Sequence, residues 1–193
     1  MSIKTTIAKS FMSVGLAWFV PIAANATIPQ WEIVPDESQL TFTATQNGAP
    51  VTGQFKTFSG TILVDPNDLK HSSIDIIVDI NSISASYSEL KSTLLTPDWF
   101  NPKVFPKAEF KSSQIEKTGD NTYKAVGTLT IRDKTEPVTL NFTGDQSDPN
   151  KGVVTGNTVI KRTQFGVGQG DWSKTNEIKD EVTVNFKVVG VKK

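Results

Sequence analysis

The chain has no cysteine among its 193 residues. That excludes disulfides, thiolate metal sites and thiol nucleophiles, so the apolar core alone must hold the fold. Histidine is nearly absent as well, since His71 is the only one. A Ser-His-Asp triad would have to be built on it, inside the polar stretch "DLKHSS", and a zinc site ordinarily needs several His or Cys ligands. The expected place for His71 is a solvated turn. Net charge is also missing, with 20 basic and 20 acidic residues, which leaves no electrostatic footprint for nucleic acid or anionic lipid heads. Beyond residue 26 no apolar run approaches the length of a membrane span. No internal repeat, low-complexity segment or linker to a second domain is visible.

What the chain does contain begins with "MSIKTTIAKSFMSVGLAWFVPIAANA". Two lysines and no acid open it, an apolar run interrupted by Ser13, Gly15 and Pro21 follows, and Ala24-Asn25-Ala26 supplies small residues at a cleavage site. This is the three-part layout of a secretory signal. It predicts export to the bacterial periplasm, cleavage after Ala26 and a mature chain starting at Thr27. The domain boundaries expected are therefore 1–26 for the signal and 27–193 for one folded domain, about 167 residues and enough for a substantial core.

Within that domain, alternation dominates. Leu40, Phe42 and Ala44 alternate with threonines, Ile74, Ile76, Val78 and Ile80 with polar residues, and Val138, Leu140 and Phe142 repeat the pattern. A run from Tyr123 to Ile131 and another from Val182 to Val188 do the same. Period two with one polar face predicts antiparallel strands around a single core. Strands are expected near 30–34, 39–46, 51–64, 73–81, 107–117, 122–132, 136–144 and 152–161, with 180–190 as an additional or closing strand. Turn signals such as "QNGAP", "DPND", "TGDN" and "RDKTEP" separate them. The stretch 51–64 is too long for one ordinary strand, and Gly53 and Gly60 are its expected bends or bulges. The fold class expected is all-β with one short helix, an antiparallel lipocalin-like β-barrel of about eight strands.

The helix is predicted near 86–95, where Leu90, Leu94 and Leu95 sit at helical spacing. Ser86 and Glu89 offer a capping box. Immediately after it comes "TPDWFNPKVFPKAEF", three prolines among large aromatics. Loops are usually polar, so this segment is expected to plug the core or close over something.

Other chemistry is thin. Asp65, Asp68, Asp75 and Asp79 do not match a calcium loop and read as turn formers or a polar strand face. "GVGQGDW", residues 166–172, lacks the following helix of a nucleotide loop and reads as a flexible connection. What remains is apolar shape. The alternating runs place Phe42, Val51, Phe55, Ile76 and Val78 on the inward face, followed by Leu129, Leu140, Phe142, Val184 and Phe186. Ala44 and Ala125 are expected wall residues. Trp99, Phe100, Phe105, Phe165 and Trp172 fall in loop-like or strand-end positions, where aromatics can line the mouth of a barrel.

Three motifs carry a family resemblance: Val51, Gly53, Phe55, Phe58 and Gly60; then Leu94, Leu95, Asp98, Trp99, Phe100, Pro106 and Phe110; then Gly127, Leu129 to Ile131, Pro137 and Val138. Over about 31 to 190 the chain resembles the YceI-like family. The resemblance implies a lipocalin-like barrel and a non-catalytic binding role, with a polyisoprenoid or quinone-like lipid as ligand, no cofactor and no metal. Two departures stand out. Many members have a histidine where this chain reads Thr45-Gln46-Asn47, and many have a phenylalanine where it has Trp99. This variant is similar to the branch associated with b-type cytochromes, which implies a membrane cytochrome as a partner. The function expected is a periplasmic carrier with the lipid chain in the barrel. Asn47, Arg162 and Gln164 are the candidates for its headgroup. The alternative is a non-catalytic interaction module docking on an envelope partner.

Overall fold

The computed structural model describes residues 27–193. The signal segment and its cleavage site, 1–26, lie outside the described residues. Among the described residues eleven strands form one antiparallel sheet: β1 (Gln30–Ile33), β2 (Gln39–Gln46), β3 (Ala49–Phe55), β4 (Phe58–Leu63), β5 (Ser73–Asp79), β6 (Ile83–Ala85), β7 (Lys107–Lys117), β8 (Thr122–Ile131), β9 (Lys134–Asp148), β10 (Lys151–Lys161) and β11 (Glu181–Lys192). The order is β1-β4-β5-β7-β8-β9-β10-β11-β2-β3-β6, and β1 also pairs with β11, which closes the ring.

The closure explains the strand count. β1 and β2 both run beside β11, at Gly190–Lys192 and Lys187–Thr183 respectively. They are two halves of one stave, separated by a 3₁₀ turn at Pro35–Glu37. β3 and β4 likewise make a second stave and β5 and β6 a third, so the barrel has eight staves. Full closure removes the exposed edges an open sheet would present.

Local sequence sets the connections. Asn47 and Gly48 adopt φ of 50° and 80°, with Gln46 paired to Ala49. Two left-handed residues in a two-residue hairpin are what Asn-Gly supplies. The break in the long 51–64 stretch falls at Lys56–Thr57, between β3 and β4, and neither glycine makes it. Gly53 and Gly60 instead permit close approach. A Cβ at Gly53 would lie 2.3 Å from the Phe42 ring, and one at Gly60 would lie 2.1 Å from the Asp75 carbonyl oxygen.

The helix α1 spans Ser88–Leu94. The expected Ser86 capping box does not form: Tyr87 holds the cap position, and the Ser86 amide donates to Thr52 O at 3.1 Å. Beyond α1 the proline segment folds on itself. Trp99 N and Asn101 N both donate to Thr96 O, Phe100 N to Leu94 O, and Phe105 N to Asn101 O. Proline stiffens these turns. Leu94 and Trp99 thereby join Ile80, Ile83, Phe165 and Ile178 in the buried cluster at the helix end of the barrel. A smaller cluster of Phe110, Ile115 and Ala125 lies further along the staves. Fully burying one large aliphatic or aromatic side chain contributes about 1.5–3 kcal/mol.

The wall parts along a seam between β9 and β10. β9 and β10 pair from Asn141 and Asn157 toward Asp148 and Lys151, but not beyond Asn141 and Asn157 toward the helix end. Phe165, 1% exposed on the 3₁₀ turn Arg162–Phe165, fills the gap between the diverging halves.

Candidate functional site

The barrel encloses a cavity of about 450 Å³. Its walls extend from Leu90, Trp99 and Phe165 at the helix end to Trp31, Leu69 and Tyr123 at the other. All ten residues predicted from the strand alternation line it: Phe42, Val51, Phe55, Ile76, Val78, Leu129, Leu140, Phe142, Val184 and Phe186. Trp99, Phe100 and Phe165 join them from the loops. The period of two turns every second side chain inward, and closure points all those faces at one axis.

Aromatic pairs brace the wall. Phe42 and Phe55 have ring centroids 5.8 Å apart, and Phe100 meets Phe55 edge-on at 5.8 Å and 85°. Tyr123 stacks on Phe142 at 5.6 Å near the opposite end. Trp172, 38% exposed, lies 5.8 Å from Trp99, and Tyr87, 45% exposed, hydrogen-bonds Gln46 Oε1 from its hydroxyl at 3.3 Å. Those two aromatics, with Gln46 and Glu89, make an amphipathic rim at the helix end. The Glu89 carboxyl is held below the ordinary carboxylate range by a backbone amide hydrogen bond and by the Ser88 hydroxyl.

Several expected placements are corrected. Phe105 is not in the cavity wall; the Arg132 guanidinium sits 5.2 Å from its ring centroid. Arg132 also donates to the carbonyls of Pro97 and Trp99, tying the proline segment to the β8–β9 hairpin. Asn47 is exposed at the tip of its turn, where its φ is required, and does not reach the cavity. Gln164 faces the outer groove along the β9–β10 seam. Ala44 lines the cavity, whereas Ala125 is fully buried in the packed cluster with Phe110 and Ile115.

Arg162 does border the cavity, but it has no donor to offer. Nε donates to Lys179 O, one terminal nitrogen to Val167 O and Gly168 O, and the other to Lys174 O and Ile178 O, at 3.0–3.2 Å. A guanidinium has five N–H groups, and all five are used. Burial lowers the Arg162 pKa, partly offset by Asp180. The residue is a pin that gathers residues 167–179, so the "GVGQGDW" stretch is a bonded loop, not a loose connection. His71 stands in a 3₁₀ turn, with Nδ1 2.8 Å from Asp68 Oδ1 on the surface.

Lining residues that the sequence did not single out include Ile62, Val64, Val153 and Thr158. The first three belong to apolar stretches that carry the same inward signal. Thr158 is polar and gave none.

These features define a class: a closed antiparallel barrel around an internal apolar cavity, with a helix and an aromatic loop at one end. The chain belongs to the family of the YceI-like domain, whose model matches residues 31–190. A UPF0312 protein of Vibrio vulnificus strain YJ016 is 30% identical over 146 residues, covering 73% of this chain and 77% of that one. Among solved structures, Burkholderia cenocepacia BcnA superposes with a TM-score of 0.78 at 32% identity, covering 81% of this chain and 98% of BcnA. A polyisoprenoid binding domain from Saccharophagus degradans shares the fold at a TM-score of 0.67 and 13% identity, over 87% of this chain and all of that one.

Proposed function

We propose that this protein carries a long isoprenoid lipid, polyisoprenoid or quinone-like, in the periplasm after its signal segment is removed. The carrying observation is the apolar cavity along the barrel axis, walled by side chains from the staves and from the aromatic loop. The domain from Saccharophagus degradans, a polyisoprenoid binding domain by name, has the same fold and supports the choice of ligand class. The mechanism is burial. Each CH₂ removed from water contributes about 0.8 kcal/mol, so a chain of several isoprene units binds tightly even after its ordering cost. No proton transfer or nucleophile is required.

Organic extraction of protein purified from the periplasm, followed by mass spectrometry of the extract, tests this. A prenyl lipid in stoichiometric amount is the expected result. A clean extract, together with no uptake of added prenyl lipid, would overturn the carrier role and favour the interaction module, with a membrane b-type cytochrome as the partner to try first. Intact mass of the same preparation checks export, with Thr27 expected as the first residue.

A further inference from the structure

Along the seam, β9 and β10 run on past Asn141 and Asn157 without pairing to one another. Each keeps only its other neighbour there. Lys134–Leu140 stays paired with β8, and Thr158–Lys161 with β11. Pro137 gives a reason in the sequence. Continuing the register would set it opposite Lys161, and proline has no N–H to give a ladder.

What separates the cavity from the outer groove along this line is side chains. Val138, Thr158, Ile160 and Phe165 line the cavity on one side and the groove on the other. Phe165, 1% exposed, closes the gap. Its 3₁₀ turn is held firmly where it begins: Arg162 is fixed by its five N–H groups, and Thr163 N and Oγ1 both donate to Asp180 Oδ1, at 3.0 and 2.8 Å. Immediately after Phe165 the chain leaves through Gly166 at φ 66°, a left-handed conformation that glycine adopts freely. The ring thus sits on a held base with a permissive joint behind it.

The two ends of the barrel are tied by hydrogen bonds instead. At the helix end Arg162 gathers residues 167–179, and Arg132 holds the carbonyls of Pro97 and Trp99. At the opposite end Trp31 Nε1 donates to Val64 O at 2.9 Å, and Ser72 Oγ accepts from Asp65 N and donates to Asp68 O. Widening either end for a chain-like ligand would break such bonds. Opening the seam breaks no backbone pairing between β9 and β10, because none is made there.

We infer, resting on the lipid-holding role above, that the ligand enters and leaves sideways through the seam between β9 and β10, and that Phe165 is the gate. An apolar chain then slides between Val138 and Ile160 once the Phe165 ring has turned aside, while both ends of the barrel stay closed.

The test uses delipidated mature protein, farnesene as the probe, and stopped-flow fluorescence of Trp31 and Trp99 in the cavity wall. Phe165→Ala should raise the association and dissociation rate constants together, about tenfold each, and leave Kd nearly unchanged, since a gate sets the barrier in both directions. A second variant leaves Phe165 in place. Thr139→Cys with Val159→Cys puts two thiols on the exposed lips of the seam, in a chain with no cysteine of its own. A flexible bismaleimide bridging them should slow both rates at least about tenfold relative to the same variant capped with a monofunctional maleimide. A bridge between Gln46→Cys and Tyr87→Cys at the helix end should leave the rates alone. Unchanged rates in the seam-bridged protein, slowing by the helix-end bridge alone, or faster dissociation of Phe165→Ala with no faster association would overturn the gate and leave the carrier role standing. Failure of the wild type to take up either farnesene or squalene supplied from phosphatidylcholine vesicles would overturn the carrier role, and this inference with it.

Discussion

Two alanine-to-tryptophan changes, on opposite sides of the wall, separate a hollow barrel from a filled one. Ala44 on β2 pairs with Val51 and lines the cavity. Ala125 on β8 lies between Ile115 and Leu140 in the sheet, fully buried against Phe110. At Ala125 a new indole has no space. Overpacking of this kind costs about 1–3 kcal/mol. For a domain of this size each kcal/mol shifts the melting temperature by about 2–4 °C, so a fall of roughly 2–12 °C is expected. At Ala44 the indole can turn into the cavity, and the melting temperature of lipid-free protein should change by no more than about 4 °C. It then occupies room that the lipid chain needs. Displacing about three CH₂ groups at about 0.8 kcal/mol each loses roughly 2.4 kcal/mol, or about 50-fold in affinity. Differential scanning calorimetry with and without a prenyl lipid, together with a titration of delipidated protein, reads both quantities. Equal melting drops for Ala44→Trp and Ala125→Trp, with lipid affinity unchanged by the former, would refute the hollow-barrel account.

Arg162→Leu should destabilise the protein by at least about 3 kcal/mol, because several buried carbonyls lose their donor at once; chemical denaturation measures it, and hydrogen exchange should rise first in residues 166–180. Arg162→Lys should rescue little, since three tetrahedral donors cannot serve five planar directions. Gly60→Val should slow or prevent folding in a refolding assay, because its Cβ meets the Asp75 carbonyl 2.1 Å away and backbone must shift. The Glu89 carboxyl has its folded pKa depressed, so what its ionised form adds to α1 is present above the ordinary carboxylate range and lost as pH falls through the depressed value. Amide exchange in Ser88–Leu94 should accelerate only at that acid end, and Glu89→Gln should remove the pH dependence.

The staves were legible because a half-buried strand writes its burial into every second residue. Leu40-Phe42-Ala44 and Val138-Leu140-Phe142 needed no tertiary information to be read as strands with an inward face. Asn47-Gly48 likewise announced its hairpin through backbone sterics alone. The existence of the helix was readable from Leu90 and Leu94, but its cap was not, since the Ser86 amide is drawn to Thr52 on another strand.

Long-range pairing decided the rest. Residues 30–33 and 39–46 look like two strands in the chain, yet they are one stave because both lie beside β11. Trp99, Phe100 and Phe105 of the proline segment look alike in sequence; Phe105 leaves the cavity because Arg132, on a distant hairpin, claims its face and the carbonyls of Pro97 and Trp99. Arg162 reads as a free cation at the end of a strand until the fold brings five carbonyls from residues 167–179 around it. Alternation predicts an apolar interior equally well for a filled core and for a cavity. Which one forms depends on whether the circumference of the closed barrel exceeds what its inward side chains can fill, and that circumference is a property of the assembled ring of strands.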